Sequence, residues 1–141
     1  MLRAARAASL ATTVQGQPFA SLVTPACEGD LSVLLLLSDL SEHTRHLRDD
    51  PRCSLLVAGE PTGINPQTAP RVTVTGLAAL ADGPDARARF LAVHPYASLY
   101  ADFGDFHLWR IRLGGALVVG GFARAARVRG SVLAPDPAAV A

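Results

Sequence analysis

The segment at residues 31–37, LSVLLLL, restricts the possible folds of this chain more than any other stretch. Six of its seven residues are apolar, a run far shorter than the ~20 residues of a membrane-spanning helix. A short and nearly continuous apolar run is typical of a strand that is buried on both faces. In a small antiparallel barrel one face of such a strand fills the interior. We expect the other face to meet a second subunit, because exposed apolar patches of that kind usually mark interfaces.

The rest of the chain consists of short β-rich segments between turn residues. Strands are predicted at residues 9–14, 19–27, 52–59, 71–82, 106–113 and 116–125, with helices at 41–51 and 84–93. Gly114-Gly115 is interpreted as a tight turn, and Gly76 as a bulge. This pattern favours a mainly β fold, a six- to seven-stranded antiparallel split barrel with short helices, over a parallel βαβ fold. We expect one domain at residues 1–128 and a flexible tail at 129–141.

Composition excludes several functional classes. All thirteen basic residues are arginine, so Schiff-base chemistry, including covalent pyridoxal phosphate, is excluded. The formal net charge of +1 argues against nucleic acid or an anionic membrane as a partner. The N-terminal residues are too weakly apolar for a secretory signal. Cys27 and Cys53 have no CxxC partner, so we expect buried thiols in a reducing compartment, the cytoplasm.

The strand-to-helix corner SDLSEHTRHL (38–47) is the first candidate site. A helix N-terminus presents unpaired N–H groups and the positive end of the helix dipole. Hydroxyl groups together with an arginine at such a corner suit a phosphate monoester. A capped surface helix with solvated polar residues explains the same pattern and is the commoner case. His43 and His46 share a helix face, but a third ligand is missing nearby, so we predict no metal site.

The aromatic strand HLWRIR (107–112) is the second candidate. Strand alternation places Trp109 on one face with His107, Ile111 and Leu113. That face is either barrel core or the wall of a ligand site, and the glycine pair at 120–121 on the next strand would leave room beside the indole. Gly120-Gly121, followed by Phe122 and Arg124, is open to the same two interpretations. Arg71 begins a strand after a long loop, where it would either reach a ligand at the barrel rim or be solvated.

Several segments, taken in order along the chain, resemble one family. They are FASLV (19–23), LLLLSDLSEHTRHLRDDPRCSLLV (34–57), PRVTVTGLA (70–78), HPYASLYADFGDFHLWRIRL (94–113) and VVGGFARA (118–125). Together they resemble the pyridoxamine-5′-phosphate-oxidase-like, FMN-binding split barrels, and within them the haem-utilisation branch, over residues 2 to about 128. The corner departs from the oxidases proper, because Glu42-His43 stands where they have an Arg-Lys pair. This departure points away from pyridoxamine-phosphate oxidation itself.

The resemblance implies a homodimer that holds flavin mononucleotide (FMN) at the subunit interface. The residues that match the family's phosphate site are Ser21 with the backbone of Leu22 and Val23, then Ser38, His43, Thr44, Arg45 and Arg71. We add Trp109 as a possible ligand wall. The leading hypothesis is an FMN-dependent oxidoreductase acting on a small molecule, with the redox chemistry supplied by the flavin and no catalytic side chain identified. The alternatives are a haem-binding or haem-degrading protein, with His107, His94 or His43 as axial ligand, and a non-catalytic flavin-binding dimer.

Overall fold

One antiparallel sheet runs through the whole molecule in the computed structural model, which describes residues 1–120 and 125–129. Its strands are β1 (Ala8–Val14), β2 (Gln17–Val23), β3 (Ala26–Cys27), β4 (Val33–Ser38), β5 (Arg52–Ala58), β6 (Arg71–Leu80), β7 (Phe106–Val119) and β8 (Ala125–Arg129). The strand order is β2-β1-β5-β6-β7-β4-β3, and β8 pairs with β7. The predicted mainly β split barrel is therefore confirmed. It has eight strands because Pro25 separates β3 from β2 and β8 is added, while the strands predicted at 106–113 and 116–125 form the single strand β7.

Two α-helices interrupt the strands near their predicted positions. Helix α1 covers Glu42–Asp49, and helix α2 covers Pro84–Val93. Short 3₁₀ turns lie at Leu2–Ala4, Pro66–Thr68 and Pro95–Leu99. Pro84 stands in the first turn of α2, where its missing N–H has no partner to lose. Among the described residues, no helix is both long and apolar enough to cross a membrane.

Strand β7 runs without interruption through Gly114-Gly115, so the turn predicted there is wrong. Thr75 pairs with Gly115 while Gly76 pairs with Leu113, which leaves Gly114 as the extra residue of a β-bulge. The bulge expected at Gly76 is thus present. A Cβ atom at Gly76 would collide with the carbonyl oxygen of Arg112. The glycines allow two long strands to approach and bend here, and they do not end a strand.

Strand β4 is buried on both faces, as its composition predicts. On one face Leu35 joins Leu10, Leu55 and Ile111 in the barrel interior. On the other face Leu34 packs with Phe90 of α2 in a second cluster, whose remaining buried members are Ala26, Ala86, Ala97 and Leu108. The expectation that this second face meets another subunit is therefore wrong. Helix α2 and the 3₁₀ turn after it already cover the excess apolar surface.

Both cysteines are free and buried. Burial raises the pKa of the Cys53 thiol to about 11, which fits the predicted role of a small buried hydrophobe. Gly121, Phe122 and Arg124, and the predicted tail from residue 130 onward, lie outside the described residues.

Candidate functional site

A cleft of about 190 Å³ lies between β2 and β4, where the sheet does not close. It is lined by Leu22, Val23, Thr24, Leu35, Leu36, Leu37, Ser38, Ser41, His43 and Phe106. Four residues of the predicted phosphate site, Leu22, Val23, Ser38 and His43, therefore meet here. Ser21 joins them through a hydrogen bond to His43. The cleft combines hydroxyl groups and an imidazole with an apolar wall.

The Ser21–His43 pair connects β2 to the first turn of α1. The Ser21 hydroxyl lies 3.0 Å from Nδ1 of His43. Burial, with a smaller contribution from nearby His46, lowers the pKa of His43 below its ordinary value. The ring is therefore neutral at physiological pH and presents one donor and one acceptor nitrogen. Which nitrogen carries the hydrogen depends on whether the Ser21 hydroxyl donates or accepts.

Ser38 shapes the corner between β4 and α1. Its hydroxyl donates to Asp105 Oδ2 at 2.6 Å and accepts from the backbone N–H of Leu40 at 3.1 Å. The backbone N–H of Asp39 donates to the Asp105 carbonyl at 2.7 Å. These bonds hold the corner against the start of β7, so Ser38 is a structural part of the cleft wall as well as one of its polar groups.

The two remaining predicted residues of α1 do not line the cleft. Thr44 is fully buried, and its hydroxyl has no hydrogen-bond partner among the described residues. Arg45 is exposed on α1, two positions after His43. Of the two arginines in the predicted phosphate site, it is the one closer in sequence to the cleft residues. A helix period of 3.6 residues explains this outcome, because positions 43, 44 and 45 point in three different directions.

Arg71 is not brought to the corner. Its guanidinium donates to the carbonyl oxygens of Gln67 and Ala69, at 2.8 and 3.0 Å, and so holds the loop before β6. Its strand position pairs with Val119, whereas Ser38 pairs with Phe106. These two partners are opposite ends of the 14-residue strand β7. Within one chain, Arg71 and Ser38 therefore do not share a small ligand.

Trp109 lies in the barrel core and is only 3% exposed. The Arg48 guanidinium carbon is 5.9 Å from the centroid of its ring. Its indole N–H is buried without a partner among the described residues. The indole has no exposed face against which a ligand could lie, so the structure does not support the interpretation of Trp109 as a ligand wall. We therefore do not include Trp109 in the candidate site.

The three histidines considered as haem ligands differ in what they contact. The ring of His94 is buried, with Nε2 2.8 Å from the Pro25 carbonyl and Nδ1 3.3 Å from the Tyr96 hydroxyl. Both ring nitrogens of His107 face carboxylates. His43 uses Nδ1 alone. Two of the three are therefore occupied by structural contacts.

Sequence reasoning missed part of the cleft wall and one of its supports. Ser41 belonged to the predicted corner, but Phe106 was predicted only as the start of a strand, and Thr24 and the leucines of β4 were not singled out as site residues, yet all of them line the cleft. Asp105 was not singled out either, although it accepts the Ser38 hydroxyl from 67 residues away. No local signal marks Phe106 and Asp105, because they reach the cleft through the pairing of β4 with β7.

Comparison with known proteins gives a consistent family assignment. The family model described as pyridoxamine 5′-phosphate oxidase matches residues 1–119. A chloroplastic heme oxygenase of Arabidopsis thaliana, HOZ, is 41% identical over 100 residues, which are 69% of this chain and 30% of the plant protein. The structure of a heme binding protein from Mycobacterium smegmatis superimposes with a TM-score of 0.85 and 34% identity, over 92% of this chain and 55% of that one.

A more distant structure shows the same fold. ChuZ from Campylobacter jejuni gives a TM-score of 0.81 at 16% identity, over 98% of this chain and 60% of that one. The chain spans less than a third of the plant relative and just over half of the mycobacterial one.

Proposed function

The chain belongs to the pyridoxamine 5′-phosphate oxidase family, and we propose that it binds haem at the β2–β4 cleft, as a dimer in which a second copy covers the rest of the ligand. The observation that carries this proposal is the 41% identity to a heme oxygenase over 69% of the chain. The 34% identical mycobacterial structure, which is described as a heme binding protein, supports it independently.

The donor set of the cleft fits an anionic, planar ligand. Ser41 offers a hydroxyl group, and the hydrogen-bonded Ser21–His43 pair keeps one further hydrogen to donate, whereas the Ser38 hydroxyl already donates to Asp105. Hydroxyl and imidazole N–H groups are suitable donors to a carboxylate or a phosphate. Beside them stand Phe106 and Leu22, whose side chain is 77% exposed. An apolar wall next to anion donors suits a flat ring system that carries acidic arms.

The size of the cleft indicates a shared site. Sites for drug-sized molecules and cofactors usually enclose ~300–1,000 Å³, whereas this cleft measures about 190 Å³. One chain therefore accommodates the anionic end of such a ligand and leaves the ring system against open surface. A second copy of the chain would supply the missing wall.

The outer face of the sheet is a suitable surface for that second copy. Two neighbouring rows of outward residues cross five strands without a single charge. The registers give them as Leu22, Ser9, Leu56, Thr73 and Leu117 in one row, and Ala20, Ala11, Ser54, Thr75 and Gly115 in the other. A broad groove of about 640 Å³ on this face is lined in part by Arg52, and on β8 the two rows continue into Arg127 and Arg129. An uncharged centre with arginines at its margin suits a homodimer interface, whose core is depleted of charge and whose rim is polar.

FMN is the second candidate ligand, and the Ser21–His43 pair favours it. A hydroxyl 3.0 Å from an imidazole, beside the hydroxyl of Ser41, is also a reasonable set of donors to a phosphate monoester. Bound FMN would supply redox chemistry, while the protein would bind and orient it. The described residues of the cleft contain no side chain that we assign as a catalytic acid or base.

Titration of the purified protein with haemin and, separately, with FMN tests the proposal. We expect a Soret band near ~400 nm that saturates at one haem per chain, and a dimer in light scattering at micromolar protein. Saturable binding of FMN alone, detected by its flavin band near ~450 nm, would replace haem by the second candidate. A monomer that binds neither ligand would overturn the proposed function.

Variants separate the cleft from unspecific adsorption of haem. Phe106→Ala removes part of the apolar wall, and Leu22→Ser changes the exposed residue opposite it. We expect both to weaken ligand binding, because the ring system loses apolar contact. Leu99→Ser is a matched control, since Leu99 is equally exposed, at 79%, but does not line the cleft.

A further inference from the structure

His107 lies between two carboxylates beside the cleft. Its Nδ1 is 2.8 Å from Asp82 Oδ2, and its Nε2 is 3.3 Å from Asp39 Oδ2. The other oxygen of Asp82 accepts the backbone N–H of Leu108 at 2.9 Å, and the other oxygen of Asp39 accepts from Arg48 at 2.5 Å. Both carboxylates are therefore held in place by a second partner, and the histidine closes a chain from α1 to the end of β6.

This arrangement favours a protonated imidazole. A neutral ring donates from one nitrogen only, so one of the two carboxylates would face a lone pair. The hydrogen bond to Asp82, followed by the charges of Asp39 and Asp82, raises the pKa of His107 above its ordinary value, while partial burial and Arg48 act in the opposite direction. Charge and hydrogen bonding thus favour the imidazolium at a pH where free histidine is mostly neutral.

The chain of ion pairs acts on the wall of the cleft. Asp39 follows Ser38 directly, and its backbone N–H donates to the carbonyl of Asp105, whose carboxylate accepts the Ser38 hydroxyl. Arg48, the other partner of Asp39, belongs to α1, the helix that carries His43. The charged groups that act on His107 are therefore Asp39 and Arg48 at the corner and Asp82 after β6.

We propose that His107 is a positioning residue for the cleft, which in its protonated form holds the β4–α1 corner in place and neutralises the carboxylates behind it. The inference rests on the proposed function, since it concerns the affinity of that same site for an anionic ligand. When His107 loses its proton, the negative charges of Asp39 and Asp82 are balanced only by Arg48, which pairs with Asp39, and the corner loses the link to Asp82. Excess negative charge behind an anion site weakens binding.

The expected signature is a pH profile. Affinity for the ligand that binds, haemin or FMN, should fall as pH rises through the raised pKa of His107. We expect a loss of roughly two- to tenfold, because one or two exposed ion pairs contribute only a small free energy. His107→Gln should bind weakly and without this step. Asp82→Asn should move the midpoint to lower pH, because it removes the carboxylate that contributes most to the shift. Asp102→Asn, which breaks only the exposed Arg87–Asp102 pair, is the control and should keep the wild-type profile.

Each measurement is the ratio of variant to wild-type affinity for the same ligand, so the ligand's own titration cancels. Histidine resonances in NMR give the pKa of His107 directly, without ligand. A flat ratio from pH 5.5 to 9, with ligand bound, overturns the inference and leaves the proposed function intact. Absence of saturable binding by both haemin and FMN overturns the proposed function, and an unshifted His107 resonance then overturns the ion-pair chain as well.

Discussion

Ser38 and Asp105 form a hydrogen bond of 2.6 Å that joins the end of β4 to the residue before β7, across 67 positions of the chain. The same aspartate accepts the backbone N–H of Asp39 through its carbonyl. One residue thus holds both the side chain and the backbone of the corner from which the cleft is built. We therefore expect the stability of the corner to depend on Asp105.

Asp105→Ala should lower the free energy of unfolding by ~1–3 kcal/mol, because the partly buried Ser38 hydroxyl loses a charge-assisted acceptor. Urea denaturation of wild type and variant measures this difference. Asp102→Ala is the matched control from the same loop. Its carboxylate pairs with Arg87 but is 84% exposed, so the expected loss is below ~1 kcal/mol. Equal losses in the two variants would contradict the role of Asp105 at the corner.

Ser21 and His43 should act on ligand affinity as a pair. Ser21→Ala and His43→Gln should each weaken binding by about three- to tenfold, since each removes one partner of the 3.0 Å hydrogen bond in the cleft. The double variant should lose less than the sum of the two, with a coupling energy of about 0.5–1.4 kcal/mol. Isothermal titration with the ligand that binds measures all three variants. Ser98→Ala, at an exposed serine outside the cleft and the proposed dimer face, serves as the control, and strictly additive losses would argue against the pair.

Trp109 should affect stability and leave ligand affinity unchanged. Trp109→Ala opens a cavity in the barrel core and should cost ~3–5 kcal/mol. Trp109→Phe should cost much less, because it also removes an indole N–H that has no partner among the described residues, and a buried unpaired donor is itself unfavourable by ~1–3 kcal/mol. Thermal melts with and without ligand provide the measurement. A loss of affinity larger than the loss of stability would return Trp109 to the ligand site.

Gly76 should not tolerate a side chain. In Gly76→Ala the new Cβ would overlap the carbonyl oxygen of Arg112 and lie 2.8 Å from Cγ2 of Ile111. Backbone atoms of a paired strand cannot move aside without breaking the bulge, so we expect a loss of ~1–3 kcal/mol or more. Gly63→Ala is the control, because a Cβ there meets no atom within 4 Å, and its effect should stay within about 0.5 kcal/mol. The free energy of unfolding of both variants decides the matter.

Local patterns predicted most of the fold. The apolar run at β4, the alternation at β7 and the proline that begins α2 each reflect the physics of a single element, and the structure bears out all three. The turn predicted at Gly114-Gly115 was wrong because a local pattern alone could not identify it. Two glycines have the same local signature in a turn and in a bulge, and only the partner strand β6, more than thirty residues earlier, determines which one forms.

The site was predictable only in part. Ser21, Ser38 and His43 were identified from the resemblance and from the chemistry of a helix start, and the structure brings them together. Thr44 and Arg71 came from the same resemblance, yet Thr44 is buried and Arg71 donates to loop carbonyls. The ion pairs of His107 join three elements that are distant in sequence. The hydrophobic and polar pattern within one segment cannot predict contacts between segments that are distant in sequence.

The placement of β4 has a consequence for biosynthesis. This strand pairs with β7 along all six of its positions, and the helix that covers its second face also follows it by dozens of residues. The ribosome therefore synthesises this apolar strand long before β7 and α2, which bury it in the folded protein, have been made. Unpaired apolar strands are prone to aggregate, so chains that terminate early, before residue 106, should accumulate as inclusion bodies or depend on chaperones during translation.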